Sequence, residues 1–306
     1  MIPYRLTVRV PATTANLGPG FDTFGLALDL WNEAVFELSG MGFKVDFNGS
    51  QSDELPRDGD NLIAKAFAFL YQKQEAVLPI GVHITCTNRI PTGSGLGSSA
   101  SAVLAGLSAA NAFLGYPYNA ECLLVLAAEM EGHPDNAAAA IYGGLTVSLC
   151  EDEKLMTLRY EVPPVSVAIV VPKFDLPTQT ARAALPQQVS IKDAVYNIGR
   201  AVLVVDALRL GDLDLLGEVM KDRLHQPYRF QLIPGCLEAR DAALETGAKA
   251  VVLSGAGPGL LAFAPADACF KIALAMQEQF GKAGLTCESF VLSVSPKGLD
   301  VQTGQG

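Results

Sequence analysis

The segment Pro91-Thr92-Gly93-Ser94-Gly95-Leu96-Gly97-Ser98-Ser99-Ala100 sets three glycines at alternate positions, then two serines and an apolar helix-forming run ending near Leu114. Glycine lets backbone amides approach a ligand closely, and serines at a helix start supply caps or ligands beside the positive end of the helix dipole. The chemistry on offer is anion binding, of phosphate above all. No lysine lies between Arg89 and Ala120, so the loop is not a Walker A site, which needs that cation. Gly95-Leu96-Gly97-Ser98-Ser99-Ala100 also satisfies the dinucleotide fingerprint G-x-G-x-x-A, with an acid, Glu121, about 20 residues on. That fingerprint wants its acid at the end of a second strand. Asn119–Met130 instead reads as a helix, with Leu123, Leu124, Ala127 and Ala128 on one stripe.

Three further segments gather polar chemistry. Pro11–Asp22 interrupts the first strand pattern with a turn-rich loop carrying an amide, Asn16, and a carboxylate, Asp22. Glu129-Met130-Glu131-Gly132-His133-Pro134-Asp135-Asn136 collects three carboxylates, a histidine and an amide at a helix break, where Gly132 stops one helix and Pro134 leads the next. Leu253-Ser254-Gly255-Ala256-Gly257-Pro258-Gly259 is a glycine turn between two apolar runs.

The elements that must position these segments mix strands and helices without strict β-α-β alternation. Strand patterns fall at Leu6–Val10, Ala34–Leu38, Phe43–Phe47, Val82–Cys86, Leu145–Leu149, Val165–Val171, Ala250–Leu253, Leu260–Ala264 and Cys287–Val294. Helical periodicity marks Asn61–Gln74, Ser99–Leu114, Ala120–Met130, Lys192–Leu210, Leu213–Arg223, Pro234–Thr246 and Ala266–Ala283. The fold class is therefore α+β. Its 306 residues suit two domains, with the boundary between residues 150 and 163, where Glu151–Lys154 and Pro163-Pro164 punctuate the pattern.

Composition excludes several function classes. Lysine plus arginine, 22, against aspartate plus glutamate, 32, gives a net charge of −10 with no basic block, which argues against a nucleic-acid partner. Half the chain is hydrophobic, yet the longest charge-free stretch, Ile90–Ala120, is broken by glycine, serine and proline and does not span a bilayer. Residues 1–11 alternate Arg5 and Arg9 with Leu6, Val8 and Val10, unlike a signal peptide, so a cytoplasmic location is expected. The six cysteines show no C-x-x-C and read as reduced, buried thiols, and three histidines without a close His/Cys cluster argue against a dedicated transition-metal site.

Together and in this order, the four segments resemble the marks of the GHMP small-molecule kinases, and Pro91–Ala100 matches that family's P-x-x-x-G-L-G-S-S-A loop throughout. The resemblance covers essentially the whole chain. Within the family, Pro11–Asp22, Gly132–Asn136, Thr178-Gln179-Thr180-Ala181-Arg182 and Pro227-Tyr228-Arg229 look like the homoserine kinases. It implies the GHMP kinase fold: an N-terminal domain like the second domain of ribosomal protein S5 over residues 1–155, and a C-terminal ferredoxin-like α/β sandwich over residues 156–306.

The reaction implied is transfer of the ATP γ-phosphoryl group to the side-chain hydroxyl of L-homoserine, giving O-phospho-L-homoserine and ADP, a step towards threonine. A kinase for another small alcohol, such as mevalonate or shikimate, is the alternative; a non-catalytic sensor and a nicotinamide dehydrogenase are weaker readings. By resemblance, Pro91, Gly93, Ser94, Gly95, Leu96, Gly97, Ser98 and Ser99 hold the nucleotide phosphates, and Asn61 lines the nucleotide pocket. Ser99 and Glu129 ligate Mg2+, with Glu131 left open as the alternative acid. Asn16, Asp22, His133, Thr178, Arg182 and Arg229 line the substrate site, where a guanidinium suits the α-carboxylate because it can bind it bidentately. Asp135 is the candidate base and Asn136 a neighbour orienting the hydroxyl, although a loose transition state also allows the proton to leave late. Pro258-Gly259 stands where a Ser or Thr is frequent, which keeps backbone contacts and weakens any side-chain role there. A homodimer is a family-level expectation.

Overall fold

The computed structural model describes residues 4–49, 55–151 and 154–304. In its first part the chain runs β1 (Arg5–Ala15), β2 (Phe24–Glu37), β3 (Gly42–Gly49), α1 (Leu62–Lys73), β4 (Gly81–Asn88), α2 (Ser98–Phe113), α3 (Ala120–Glu131), α4 (Asp135–Tyr142), β5 (Leu145–Glu151) and β6 (Lys154–Tyr160). The second part continues with β7 (Ser166–Pro172), α5 (Thr178–Ala183), α6 (Ile191–Leu210), α7 (Leu213–Val219), α8 (Gln226–Arg229), α9 (Cys236–Glu245), β8 (Ala250–Leu253), β9 (Leu260–Ala264), α10 (Ala266–Lys282), β10 (Cys287–Ser293) and β11 (Asp300–Thr303).

Two sheets organise these elements. The first has the order β11-β1-β2-β4-β3, with β5 on the free stretch of β2 and β6 on β5. Only β3 and β4 pair in parallel, as expected of strands joined through a helix, here α1. The second sheet has the order β10-β7-β9-β8, antiparallel throughout. With one crossover through α5–α9 and another through α10, this is the split βαβ connection of a ferredoxin-like unit.

Alternation along the strands of the second sheet explains why Ser166–Pro172 reads as one continuous apolar run. Val167, Ile169 and Val171 enter a core shared with α6, α7 and the start of β2, whereas Ala168 and Val170 enter one beneath α9 and α10. A strand buried on both faces has no polar side to show. A third core lies between the first sheet and α1–α4, centred on Phe67, whose ring packs on Phe36, Phe43, Tyr71 and Phe113. Helix α2 is apolar nearly all round because it is buried nearly all round, as a helix inside a core must be.

The structure corrects three expectations. Strand β1 does not stop at Val10: it continues through a bulge between Pro11 and Ala12 to Ala15, so the loop shrinks to residues 16–23. A bulge is where a strand tolerates proline, which has no amide proton to give its neighbour. The boundary expected at residue 155 falls inside β6, which pairs with β5 in the first sheet, and β11 returns to the same sheet beside β1. Among the cysteines, all unbridged, Cys122 and Cys150 are exposed, not buried. No helix among the described residues is long and apolar enough to cross a membrane.

Because Phe67 is fully buried at the centre of five packed rings, Phe67→Ala should lower unfolding free energy by about 3–5 kcal/mol, read from urea denaturation.

Candidate active site

Glycine geometry builds the loop ahead of α2. Gly93, Gly95 and Gly97 have φ of 63°, 79° and 71°, the left-handed region that costs other residues. A side chain at Gly95 would strike the Ser254 carbonyl, and one at Gly97 the Thr13 hydroxyl. Ser94 spends its hydroxyl inside the loop, donating to the Pro91 carbonyl at 2.7 Å and accepting from the Leu96 amide at 3.2 Å. Leu96 itself is buried in the core between the two sheets. So Pro91, Ser94 and Leu96 shape the turn from within. No side chain caps α2, whose N-cap is Gly97, and its first amides are left facing an open cleft with the positive end of a 16-residue helix behind them.

Two cavities meet at this helix start and share Gly93, Ser98 and Ser99. The smaller, about 350 Å³, is mainly apolar, walled by Val8, Val10, Phe47, Leu62, Cys86 and Ala105. Asn61 lines it, but its amide is committed: Oδ1 accepts from the Ile63 amide at 3.0 Å and caps α1, and Nδ2 donates to the Pro56 carbonyl at 2.7 Å. The apolar wall was missed in the sequence because Val8 and Val10 on β1 read simply as core.

The larger cavity, about 480 Å³, collects Asn16, Asp22, Ser98, Ser99, Glu131, His133, Asp135, Asn136, Thr178, Arg182 and Arg229. These residues come from both sheets' surroundings and from points more than 200 positions apart. Asn16, at φ 71°, accepts from the Asp22 amide at 2.9 Å through Oδ1 and donates through Nδ2 to the Gly255 carbonyl at 2.8 Å. Its amide is thus a clasp between the 16–23 loop and the 254–259 turn. Asp22 and Arg182 form a two-pronged ion pair at 2.8 and 2.9 Å, both half-exposed. That pairing holds the Arg182 charge firmly on, its pKa raised by the Asp22 hydrogen bond.

Arg229 differs. It is 1% exposed, and its guanidinium has only neutral acceptors: the Ala181 carbonyl at 3.3 Å, the Gly255 carbonyl at 3.4 Å and His225 Nδ1 at 3.4 Å. Among the described residues Nη2 has no hydrogen-bond partner. Burial, and next Arg182, push its pKa down to about 10, so it stays charged at neutral pH. A buried cation with no carboxylate in direct contact, attracted only at longer range by Asp22, Asp222 and Asp135, is a seat for an anion when it borders an open cavity.

The acidic end is set by the α3–α4 break. Gly132 closes α3 at φ 83°, and Pro134 opens α4. Asp135, 2% exposed, uses one oxygen, Oδ1, for three contacts: the Asn136 amide at 2.7 Å, Asn136 Nδ2 at 3.2 Å and His133 Nδ1 at 2.9 Å. Its Oδ2 has no partner among the described residues. Asn136 Oδ1 accepts from the Thr13 hydroxyl at 2.8 Å, tying α4 to β1.

The two acids weighed as metal ligands, Glu129 and Glu131, are placed differently. Glu129 points away from the cleft and pairs with Lys73 at 2.8 Å, whereas Glu131 accepts from the Ser99 hydroxyl at 2.6 Å. Helical phase is the reason: residues two apart on a helix point about 200° apart, and the buried stripe Leu123, Leu124, Ala127 leads to 131, not 129. Burial raises the Glu131 pKa, with the Ser99 hydrogen bond opposing.

Comparison with known proteins places the chain in a family. Residues 61–144 match the model of the GHMP kinases N terminal domain, and residues 204–282 that of the GHMP kinases C terminal. The chain is 43% identical over 281 residues to the homoserine kinase of Moorella thermoacetica, covering 92% of this chain and 94% of that one. It is 42% identical to the homoserine kinase of Gloeobacter violaceus, covering 98% and 100%. The crystal structure of homoserine kinase from Cytophaga hutchinsonii superposes with a TM-score of 0.87 at 31% identity, over 98% of each chain. That of Leishmania (L. major) mevalonate kinase with R-mevalonate gives 0.72 at 18%, over 97% and 96%, a likeness of fold alone. With both domain models matched in order around one glycine-loop cleft, the chain belongs to the GHMP kinase family.

Proposed function

We infer that the chain is an ATP-dependent homoserine kinase, making O-phospho-L-homoserine and ADP. The observation that carries the choice of acceptor is Arg229, a buried guanidinium with no carboxylate in direct contact, set beside the Asp22–Arg182 pair in the cavity that the glycine loop opens onto. Homoserine is a zwitterion with a primary alcohol. Its carboxylate suits Arg229, with Arg182 adding a second cation as its pairing with Asp22 is shared. Its ammonium then suits Asp22, so no charge is buried uncompensated. The relatives at 43% and 42% identity over nearly the whole of both chains are homoserine kinases.

Phosphoryl transfer asks for positioning and charge neutralisation more than covalent chemistry. The amides of residues 93–99 and the α2 dipole take the triphosphate, and the apolar cavity behind Ser98 takes the base. The residues fit a magnesium ion: Ser99 Oγ and the half-buried Glu131 carboxylate are the two oxygen donors such an ion wants from protein, with phosphate and water completing its shell. When bound there, Mg2+ would neutralise charge on the β- and γ-phosphate oxygens. Asp135 offers Oδ2 to the substrate hydroxyl and takes its proton, while Asn136 and His133 hold the carboxylate through Oδ1.

A coupled ADP-release assay against homoserine, mevalonate, galactose and shikimate should show turnover with homoserine; turnover confined to another alcohol overturns the reading. Arg229→Leu should raise KM for homoserine about 10- to 100-fold and leave KM for ATP near its starting value, because hydrogen bonds to charged groups are worth about 1.5–3 kcal/mol. Glu131→Gln should cost about 10²-fold in kcat, with Glu129→Gln nearly silent. Asp135→Asn should cost at least about 10²-fold in kcat with the carboxylate as base, and a loss under about tenfold would assign the proton to the transferred phosphoryl group or to water.

The His133–Asp135 pair gives a pH signature. The Asp135 hydrogen bond raises the His133 pKa above its ordinary 6.5, with burial opposing. The stabilisation is therefore fully present below the unfolded pKa and lost as pH rises through the raised folded value. Denaturant unfolding of His133→Asn should show a larger deficit against wild type at pH 6 than at pH 9.

A further inference from the structure

The helical periodicity expected to run to Arg223 stops at Val219, and the segment that follows is organised by one buried carboxylate. Asp222 Oδ1 accepts from Asn197 Nδ2 at 2.7 Å and the Leu224 amide at 2.8 Å, and Oδ2 accepts from the amides of His225 at 2.9 Å and Gln226 at 2.6 Å. The carboxylate thus fixes the turn that starts α8, one turn before Arg229. His225, fully buried, stands at that start. Its ring stacks on Phe21 at 5.0 Å, Nε2 lies 2.8 Å from the Gly18 carbonyl, and Nδ1 lies 3.4 Å from Arg229 Nη1.

Donor and acceptor logic settles the state of this ring. Arg229 has only N–H donors, so a proton on Nδ1 would set donor against donor. The Gly18 carbonyl can only accept, and Asp222 Oδ2, 3.5 Å from Nε2, is a second acceptor on the same side, so the proton belongs on Nε2. A second cation beside the Arg229 guanidinium would be costly in so dry a place: burial lowers the His225 pKa and outweighs the opposing pull of Asp222.

We propose that His225 is a positioning residue for Arg229: as the neutral Nε2–H tautomer it is anchored on the Gly18 carbonyl and offers its Nδ1 lone pair to Nη1, leaving Nη2 directed to the substrate carboxylate. Because Gly18 belongs to the loop that also carries Asn16 and Asp22, the same ring links the part of the site that takes the ammonium to the part that takes the carboxylate. Phe21 completes the frame, with the Arg229 guanidinium 5.1 Å and that of Arg182 5.7 Å from its ring centre. This rests on the reading of Arg229 as the carboxylate seat.

Three variants separate the two ring nitrogens. In His225→Asn the amide oxygen stands in for Nδ1; in His225→Gln the amide nitrogen stands in for Nε2; His225→Phe keeps the stack on Phe21 and has neither. The Phe and Gln variants should raise KM for homoserine about tenfold or more, with kcat and KM for ATP within about threefold, whereas Asn should stay within about threefold of wild type. A purely structural role would instead order all three by melting temperature and move both Michaelis constants together. The proposal is overturned if Asn is as poor as Phe, or if KM for ATP rises in step. Should the variants fail to fold, 15N NMR of the wild-type ring decides, since only His83, His133 and His225 contribute signals: a protonated Nδ1 overturns it and a bare Nδ1 supports it. Wild type without homoserine-dependent ADP release would remove the functional reading and leave the tautomer result to judge the positioning.

Discussion

Three glycine-bearing turns, distant in sequence, close on one another, and the site exists because they do. The Thr13 amide donates to the Leu96 carbonyl, the Gly255 amide to the Ala15 carbonyl, and the Gly259 amide to the Ser94 carbonyl. Ser254 Oγ adds a bond to the Gly95 carbonyl at 2.8 Å. These are backbone-to-backbone seams for the most part, and they leave no room for side chains: a Cβ at Gly95 would meet the Ser254 carbonyl, and one at Gly259 the Ser94 carbonyl. The departure from a Ser or Thr at Pro258-Gly259 matters little for that reason, because this turn works through its main chain.

Charge of both signs lines the cleft: Arg182 and Arg229 share it with Asp22, Glu131 and Asp135, in a chain whose net charge is −10. Such a lining, with the start of α2 opening onto it, suits two ligands of different need: a polyanion at the helix start, and a small zwitterion among the paired charges. The cost of burying Arg229 with no carboxylate in direct contact is offset by His225, two carbonyl groups and the longer-range pull of Asp22 and Asp222, so the seat is preorganised before anything occupies it.

Local pattern carried most of the architecture. Alternation in Val165–Val171 and Leu260–Ala264, and the 3.6-residue stripe in Asn61–Gln74, follow from which face meets a core, and the α+β class emerges from their order. What sequence alone lacked was tertiary. Strand β1 beyond Pro11 is held by β2 and not by its own propensity, and β6 and β11 are short, half-exposed strands that pairing partners define. At the site, the glycine loop was legible because its φ demands are written into the residue types. The Asp22–Arg182 pair, 160 positions apart, was not, nor was the apolar wall at Val8 and Val10. That Glu131 and not Glu129 meets Ser99 was recoverable: the stripe Leu123, Leu124, Ala127, continued by one turn, lands on 131.

The pairing of β11 with β1 has a bearing on how the molecule comes together. Leu6 lies opposite Thr303, so one margin of the first sheet is completed by residues about 300 positions further along the chain. Without them β1, the strand that carries the Thr13 seam to the glycine loop, presents an unpaired ladder on that side. Closing so long a loop is a non-local event of the kind that slows folding, and an edge left open meanwhile is a template for pairing with another chain.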